Sequence, residues 1–277
     1  MAHTDGKLTT PDGLSLRTQR WLPEGLAKAV VVLTHGQGEH SGRYGHTATA
    51  LTTAGYAVYT YDLRGHGRSD GPRGHAPSMD ALLDDAQVVF DWARVENSGK
   101  KFFLMAHSMG GNIALNYALR RQPGVAGVIL SSPWLGPTIP PSPALMNVGR
   151  WLSRLLPAFT LDSGISGEPL AHDAQLLSSF PDLNLTHTKI TARMGTTVFE
   201  AADYALAHAA EFTLPLLILH AGADRLASAA ASKTFYVKAS SRDKTYRLLD
   251  GLYHEILNET ERGVVMQEIV GWLNQKL

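Results

Sequence analysis

The sequence predicts an α/β protein: a mostly parallel central sheet with helices on both faces and a helical block inserted into the chain. Three observations carry this. Apolar runs such as Ala29–Leu33, Phe102–Ala106 and Leu214–Leu219 are short and continuous, the pattern of strands covered on both faces. Stretches of helical periodicity alternate with them, which implies parallel strands joined by crossover helices. The alternation stops after Pro133 and resumes at Leu214. The segment between therefore sits outside the sheet, above the carboxyl ends of the strands, where such sheets bind ligands.

Taken in order, residues 7–22 read as two short strands paired around the turn triplet Pro11-Asp12-Gly13. Ala29–Leu33 is a buried strand that runs straight into His35-Gly36-Gln37-Gly38-Glu39. Residues 45–54 are helical and stop at Gly55, and Tyr56–Tyr61 is the next strand. Met79–Val95 is an amphipathic helix with Ser78 as N-cap. Phe102–Ala106 is a strand, followed at once by a helix, and Val125–Leu130 is a further strand. Residues 134–212 show no strand pattern and carry helical patches at 142–156, 172–180 and 197–210. After Leu214–Leu219 come a helix over 228–239, a strand over 245–249 and a closing helix over 256–276. Residues 1–134 and 213–277 thus read as the core and 135–212 as an inserted helical cap.

Composition narrows the function. The 277 residues carry 25 basic and 25 acidic side chains, a formal net charge of zero, which predicts no nucleic-acid partner. There is no cysteine, so disulfides, thiol catalysis and cysteine-zinc sites are excluded. None of the 12 histidines forms an H-x-x-x-H pair beside a third ligand, so no metal site is expected. The polar start MAHTDGKLTT has no apolar signal region and no run reaches membrane-spanning length, which predicts a cytoplasmic protein.

The chemistry centres on Ala106-His107-Ser108-Met109-Gly110-Gly111. A strand, a sharp turn tipped by serine and a helix form a nucleophile elbow, usually G-x-S-x-G; Ala106 adds one methyl to that pattern. A serine hydroxyl needs a histidine base oriented by a carboxylate. In the α/β-hydrolase fold these follow in the order serine, acid, histidine, each in a loop after a strand. Asp224, after Leu214–Leu219, and His254, after 245–249, satisfy both order and placement. Two N–H donors must face the oxyanion of the tetrahedral intermediate. Met109 N–H is one, and Gln37 N–H the other, with Gly36 and Gly38 as neighbouring alternatives. His35, Asp62, His66 and Asp70 lie in Gly-rich turns and read as structural hydrogen-bonders, and His107 as a neighbour that points away from the nucleophile.

HGQGEHSGRY at 35–44, YDLRGHGRSDGPRGH at 61–75, AHSMGG at 106–111, HAGADRL at 220–226 and YHEIL at 253–257 resemble the monoacylglycerol lipase and lysophospholipase group of α/β-hydrolases. The resemblance covers nearly the whole chain and is weakest in 134–212. It implies a serine carboxylester hydrolase that needs no cofactor, with Ser108, Asp224 and His254 as triad and Gln37 and Met109 as oxyanion donors. It also implies that Glu39 and Arg43 organise the polar end of the site. Departures are Ala106, and Gln37 where many relatives carry a small residue; the cap-site thiols of some animal relatives have no counterpart. The implied substrate is a monoacylglycerol-type ester. A lysophospholipid and a short-chain or aryl ester are alternatives, as is a ligand-binding protein that has lost catalysis.

One cap feature remains. Ser142 can N-cap a helix with Pro143 at its first position, placing Leu145, Val148, Leu152 and Leu155 on one face beside Trp151. That stripe either packs the cap onto the sheet or is exposed toward the entrance. In the second case Leu145, Val148 and Leu152 line an acyl passage, or the stripe makes transient contact with a membrane or micelle surface.

Overall fold

The computed structural model describes residues 1–165, 170–180 and 182–277. Eight strands form one sheet: β1 (Ala2–Thr9), β2 (Ser15–Leu22), β3 (Val30–Thr34), β4 (Ala57–Tyr61), β5 (Phe102–His107), β6 (Gly127–Ser131), β9 (Leu216–Ala221) and β10 (Lys244–Leu249). Their spatial order is β1-β2-β4-β3-β5-β6-β9-β10. β2 pairs antiparallel with both its neighbours, and every other pairing is parallel. The five central strands β3, β4, β5, β6 and β9 are buried throughout, as their unbroken apolar runs require.

Alternate residues of each strand feed opposite cores. Val30 and Val32 pack with Leu104, Ile113 and Phe235 on one face, where α2 (Met79–Glu96), α3 (Met109–Arg121) and α7 (Ala229–Lys238) lie. Val31 and Leu33 pack with Phe103, Ile129 and Trp272 on the other, under α1 (Gly45–Thr53) and α8 (Arg262–Asn274). The side chain of Ser78 accepts a hydrogen bond from Ala81 N and starts α2 where the sequence places it. The closing helix begins at Arg262 rather than at residue 256. Residues 254–261 form a turn instead, because the buried carboxylate of Glu259 draws in the N–H groups of Tyr253 and His172 at 2.7 and 2.8 Å.

Between β6 and β9 lie α4 (Pro143–Leu155), α5 (Ala174–Ser179) and α6 (Ala192–Ala207). Ser142 caps α4, its Oγ accepting from Leu145 N at 3.3 Å, with Pro143 in the first turn. This segment also contains two strands that the sequence pattern does not reveal, β7 (Thr160–Asp162) and β8 (Lys189–Thr191), paired antiparallel. Each is three residues long and their partners are far apart in the chain, so no local alternation marks them. Residues 166–169 and 181, within the block expected as a cap, lie outside the described residues. α6 is tied to α3 by side chains: Asn112 Nδ2 donates to Val198 O at 2.9 Å and Asn116 Nδ2 to Ala201 O at 3.0 Å. Among the described residues no helix is long and apolar enough to cross a membrane.

Candidate active site

Ser108 stands between β5 and α3 with φ 52° and ψ −121°, a left-handed conformation that a serine adopts only when its surroundings enforce it. They do. Ser108 N donates to Ser131 O at 3.0 Å, and Ser108 O accepts from Trp134 N and Gly111 N, each at 2.9 Å. A methyl on Gly110 would lie 2.4 Å from His35 O, and one on Gly111 2.7 Å from Pro133 Cβ. The Gly-Gly pair is therefore what lets the start of α3 approach the ends of β3 and β6. Ala106 is buried in the same core cluster as Met109 and Ile113 of α3.

The side chains that follow form a hydrogen-bonded series. Ser108 Oγ is 2.8 Å from His254 Nε2, and His254 Nδ1 is 2.7 Å from Asp224 Oδ2. Asp224 Oδ1 accepts from the N–H groups of Leu226 and Ala227, both at 2.9 Å. Burial alone would raise the Asp224 pKa. Hydrogen bonds from His220, His254 and the Ala227 N–H outweigh it and hold the carboxyl well below the usual range. His107, whose ring centroid is 4.8 Å from that of His254, is pushed down to about 4 by burial and by that neighbour. Its Nδ1 lies 3.1 Å from Ser131 O, and its ring borders the same cavity as Ser108 rather than pointing wholly away from it.

Of the three candidate loop donors, Gly36 N–H is committed to Glu39 Oε1 at 2.6 Å. Gly38 does not border the cavity at Ser108, whereas Gln37 and Met109 do. Neither of those two N–H groups has a hydrogen-bond partner among the described residues. The remaining turn residues have structural partners. His35 Nε2 accepts from Leu63 N at 2.9 Å, Asp62 accepts from Ser41 N and Arg68 N at 2.8 Å, and Asp70 accepts from Ser15 N at 3.0 Å.

The cavity above Ser108 has a volume of about 530 Å³. Its apolar wall includes Trp134, Leu145, Met146, Val198, Phe199 and Leu226, and its polar end includes Glu39 and Glu255 beside His254. Arg43 lies behind that end. Its Nη1 donates to Glu39 Oε2 and Glu255 Oε1, both at 2.9 Å, and its Nη2 to Glu255 Oε2 at 2.8 Å. Burial favours the protonated form of Glu39, but Arg43 together with His107, His35 and the Tyr44 hydroxyl outweighs it and keeps the carboxyl below its ordinary value. Leu145 borders the cavity as expected; Val148 and Leu152 do not. α4 turns Met146, Gly149 and Ser153 inward, and Ser153 Oγ meets Thr196 Oγ1 of α6 at 2.8 Å. Val148, Trp151 and Leu155 therefore face outward, at 58%, 63% and 58% exposure. The rest of the wall comes from α6, β8 and Trp134. Trp134, just past the end of β6, could have been found from the rule that ligands lie at the carboxyl ends of parallel strands.

A family model described as serine aminopeptidase, S33, matches residues 25–261. Among proteins of known name, the chain is similar to a monoacylglycerol lipase of Mycolicibacterium smegmatis, 31% identical over 254 residues, with 91% of this chain and 90% of that protein covered. It is also similar to phospholipase YtpA of Bacillus subtilis, 32% identical over 249 residues, covering 89% and 95%. Among solved structures, the monoacylglycerol lipase of Paleococcus ferrophilus superposes with a TM-score of 0.83 at 30% identity, covering all of both chains.

Proposed function

From the premise that this chain belongs to the serine aminopeptidase S33 family of α/β-hydrolases, and is a lipase- or esterase-type serine hydrolase, we propose that it cleaves monoacylglycerol-type esters to a fatty acid and an alcohol. The observation that carries this is the Ser108–His254–Asp224 series at 2.8 and 2.7 Å, opening on a cavity with one apolar wall and one polar end. Ser108 Oγ attacks the acyl carbonyl while His254 Nε2 takes its proton. Asp224 holds the His254 tautomer and stabilises the imidazolium. The oxyanion that forms receives the N–H groups of Gln37 and Met109, a contribution of about 2.7–4 kcal/mol for each such donor. His254 returns the proton to the leaving alcohol, and a water deacylates Ser108 by the same route in reverse. The alcohol departs toward Glu39 and Glu255, and the acyl chain lies along Trp134 and α6, each buried CH₂ contributing about 0.8 kcal/mol.

Access to lipid has its own support. α4 exposes Val148, Trp151 and Leu155, has two arginines and no acidic residue, and so suits transient contact with a membrane or micelle surface. A second reading, lysophospholipase, rests on the Bacillus relative named a phospholipase. A fluorophosphonate probe should label the wild type and not Ser108→Ala; equal labelling of both would end the proposed mechanism. Monoacylglycerols of graded length, assayed beside lysophospholipid and p-nitrophenyl esters, then decide the substrate. Preference for lysophospholipid would replace the first reading with the second.

A further inference from the structure

A backbone donor has no need of its own side chain, yet the side chain of Gln37 is engaged. Gln37 Nε2 donates to the backbone carbonyl of Lys189, in β8, at 2.8 Å. A carbonyl can only accept, so this contact fixes which end of the amide faces β8. The amide oxygen then lies 3.3 Å from His66 Nε2, while His66 Nδ1 faces Arg64 O at 3.0 Å. Burial, reinforced by His35, His187 and Arg73, keeps the His66 ring neutral, so it has one proton for two acceptors. The bond to Lys189 is the firm one.

The surrounding seam is tight. His187 N donates to Gly38 O at 2.8 Å and Thr191 N to Gly74 O at 2.9 Å. Gly38 has φ +77°, and a methyl there would lie 2.2 Å from His187 O; one on Gly74 would lie 2.0 Å from Lys189 O. Residues 187–191 thus rest on the core loops at glycine distance. The same segment presents Ile190 and Thr191 to the cavity.

We propose that Gln37 is a positioning residue, whose side-chain amide clamps the loop carrying its own N–H to the cavity wall at β8 and so sets the placement of the oxyanion donor. This rests on the assignment of Gln37 N–H as an oxyanion donor made above. A contact that places a transition-state donor acts on kcat, whereas one that merely shapes the pocket acts on KM.

Gln37→Leu keeps the backbone N–H and much of the volume but loses the amide. With p-nitrophenyl butyrate, kcat should fall about tenfold with KM changed less than about twofold, and the rate of fluorophosphonate labelling should fall in parallel, because that reaction also builds charge on the bound oxygen. Gln37→Glu sets a carboxylate against Lys189 O and should lose more at about pH 7.5. Protonation turns it back into a donor, so its kcat relative to wild type should climb toward about pH 5.5, a readout that loss of fold does not produce. Wild-type kcat and labelling in Gln37→Leu, a change confined to KM, or a flat ratio in Gln37→Glu would each overturn the proposal. An unlabelled wild type would instead overturn the serine-hydrolase mechanism, and this proposal with it.

Discussion

Replacing Asp224 by asparagine tests the proposed mechanism at its most constrained atom. Leu226 and Ala227 both donate to Oδ1 at 2.9 Å, so the asparagine must keep its oxygen on that side. Its NH₂ group then faces His254 Nδ1, where the carboxylate oxygen stands at 2.7 Å. An NH₂ in that place donates, which forces the His254 proton onto Nε2, directed at Ser108 Oγ 2.8 Å away. A ring in that tautomer cannot take the hydroxyl proton. The expected loss in kcat is about 10⁴-fold, or about 5 kcal/mol of barrier at about 1.36 kcal/mol per decade. The assay is steady-state turnover of p-nitrophenyl butyrate, with the melting temperature measured alongside to establish that the variant is folded. A folded Asp224→Asn enzyme within about tenfold of wild type would refute the argument that this carboxylate orients the base.

A methyl on Gly195 of α6 would meet only Ile190 Cδ1, at 4.0 Å, and Gly195 borders the cavity, so the side chain of Gly195→Leu should extend into it. Turnover of long-chain monoacylglycerol should drop about tenfold or more while p-nitrophenyl acetate turnover holds; equal loss of both would count against α6 as the acyl wall. Burial holds His40, His46, His66, His75, His107 and His187 below the ordinary histidine range, so the unfolded chain binds protons that the fold refuses. Stability is then full above about pH 6.5 and declines as pH falls below it, with the His107 share lost progressively toward about pH 4; a melting temperature unchanged between about pH 7.5 and 5 would contradict this. Val148→Asp should abolish co-sedimentation with anionic vesicles and leave soluble-ester turnover intact, and retained sedimentation would remove the exposed face of α4 from the lipid contact. Gly110→Ala, with its methyl 2.4 Å from His35 O, should cost several kcal/mol of stability, read as a fall in denaturant midpoint; a neutral result would mean the elbow can widen.

What the chain discloses in advance follows from how local each signal is. The buried strands, the Ser108 elbow and the order of Ser108, Asp224 and His254 depend on short apolar runs and on punctuation beside them, and these are written contiguously. The β7–β8 pair is not, since strands of three residues joined across a long separation carry no periodicity of their own. The start of α8 is displaced by a tertiary effect, the buried Glu259 carboxylate gathering Tyr253 and His172 N–H groups. The acyl wall fails for a different reason. Periodicity identifies the apolar face of α4, but not whether that face meets protein or solvent, and the packing of Ser153 on Thr196 turns it outward. Glu255 was in plain view next to His254. Its contact with Arg43, 212 positions earlier in the chain, had no sequence cue.

The asparagine contacts between α3 and α6 bear on how this protein can be recombined with its relatives. Chain order invites an exchange of everything between β6 and β9 as one cassette. Asn112 and Asn116, however, hold the carbonyls of Val198 and Ala201, so α6 is fastened to the helix that begins just after Ser108. A graft ending at residue 212 would import a foreign α6 and leave two buried amides facing backbone that they do not match, at about 1–3 kcal/mol for each unpaired group. A graft ending near residue 186 would exchange α4 and α5 while keeping α6, β8 and the Lys189 contact native. That upstream joint spares the α3–α6 amides and asks the incoming α4 and β7 to remake the Ser153–Thr196 and β7–β8 contacts instead.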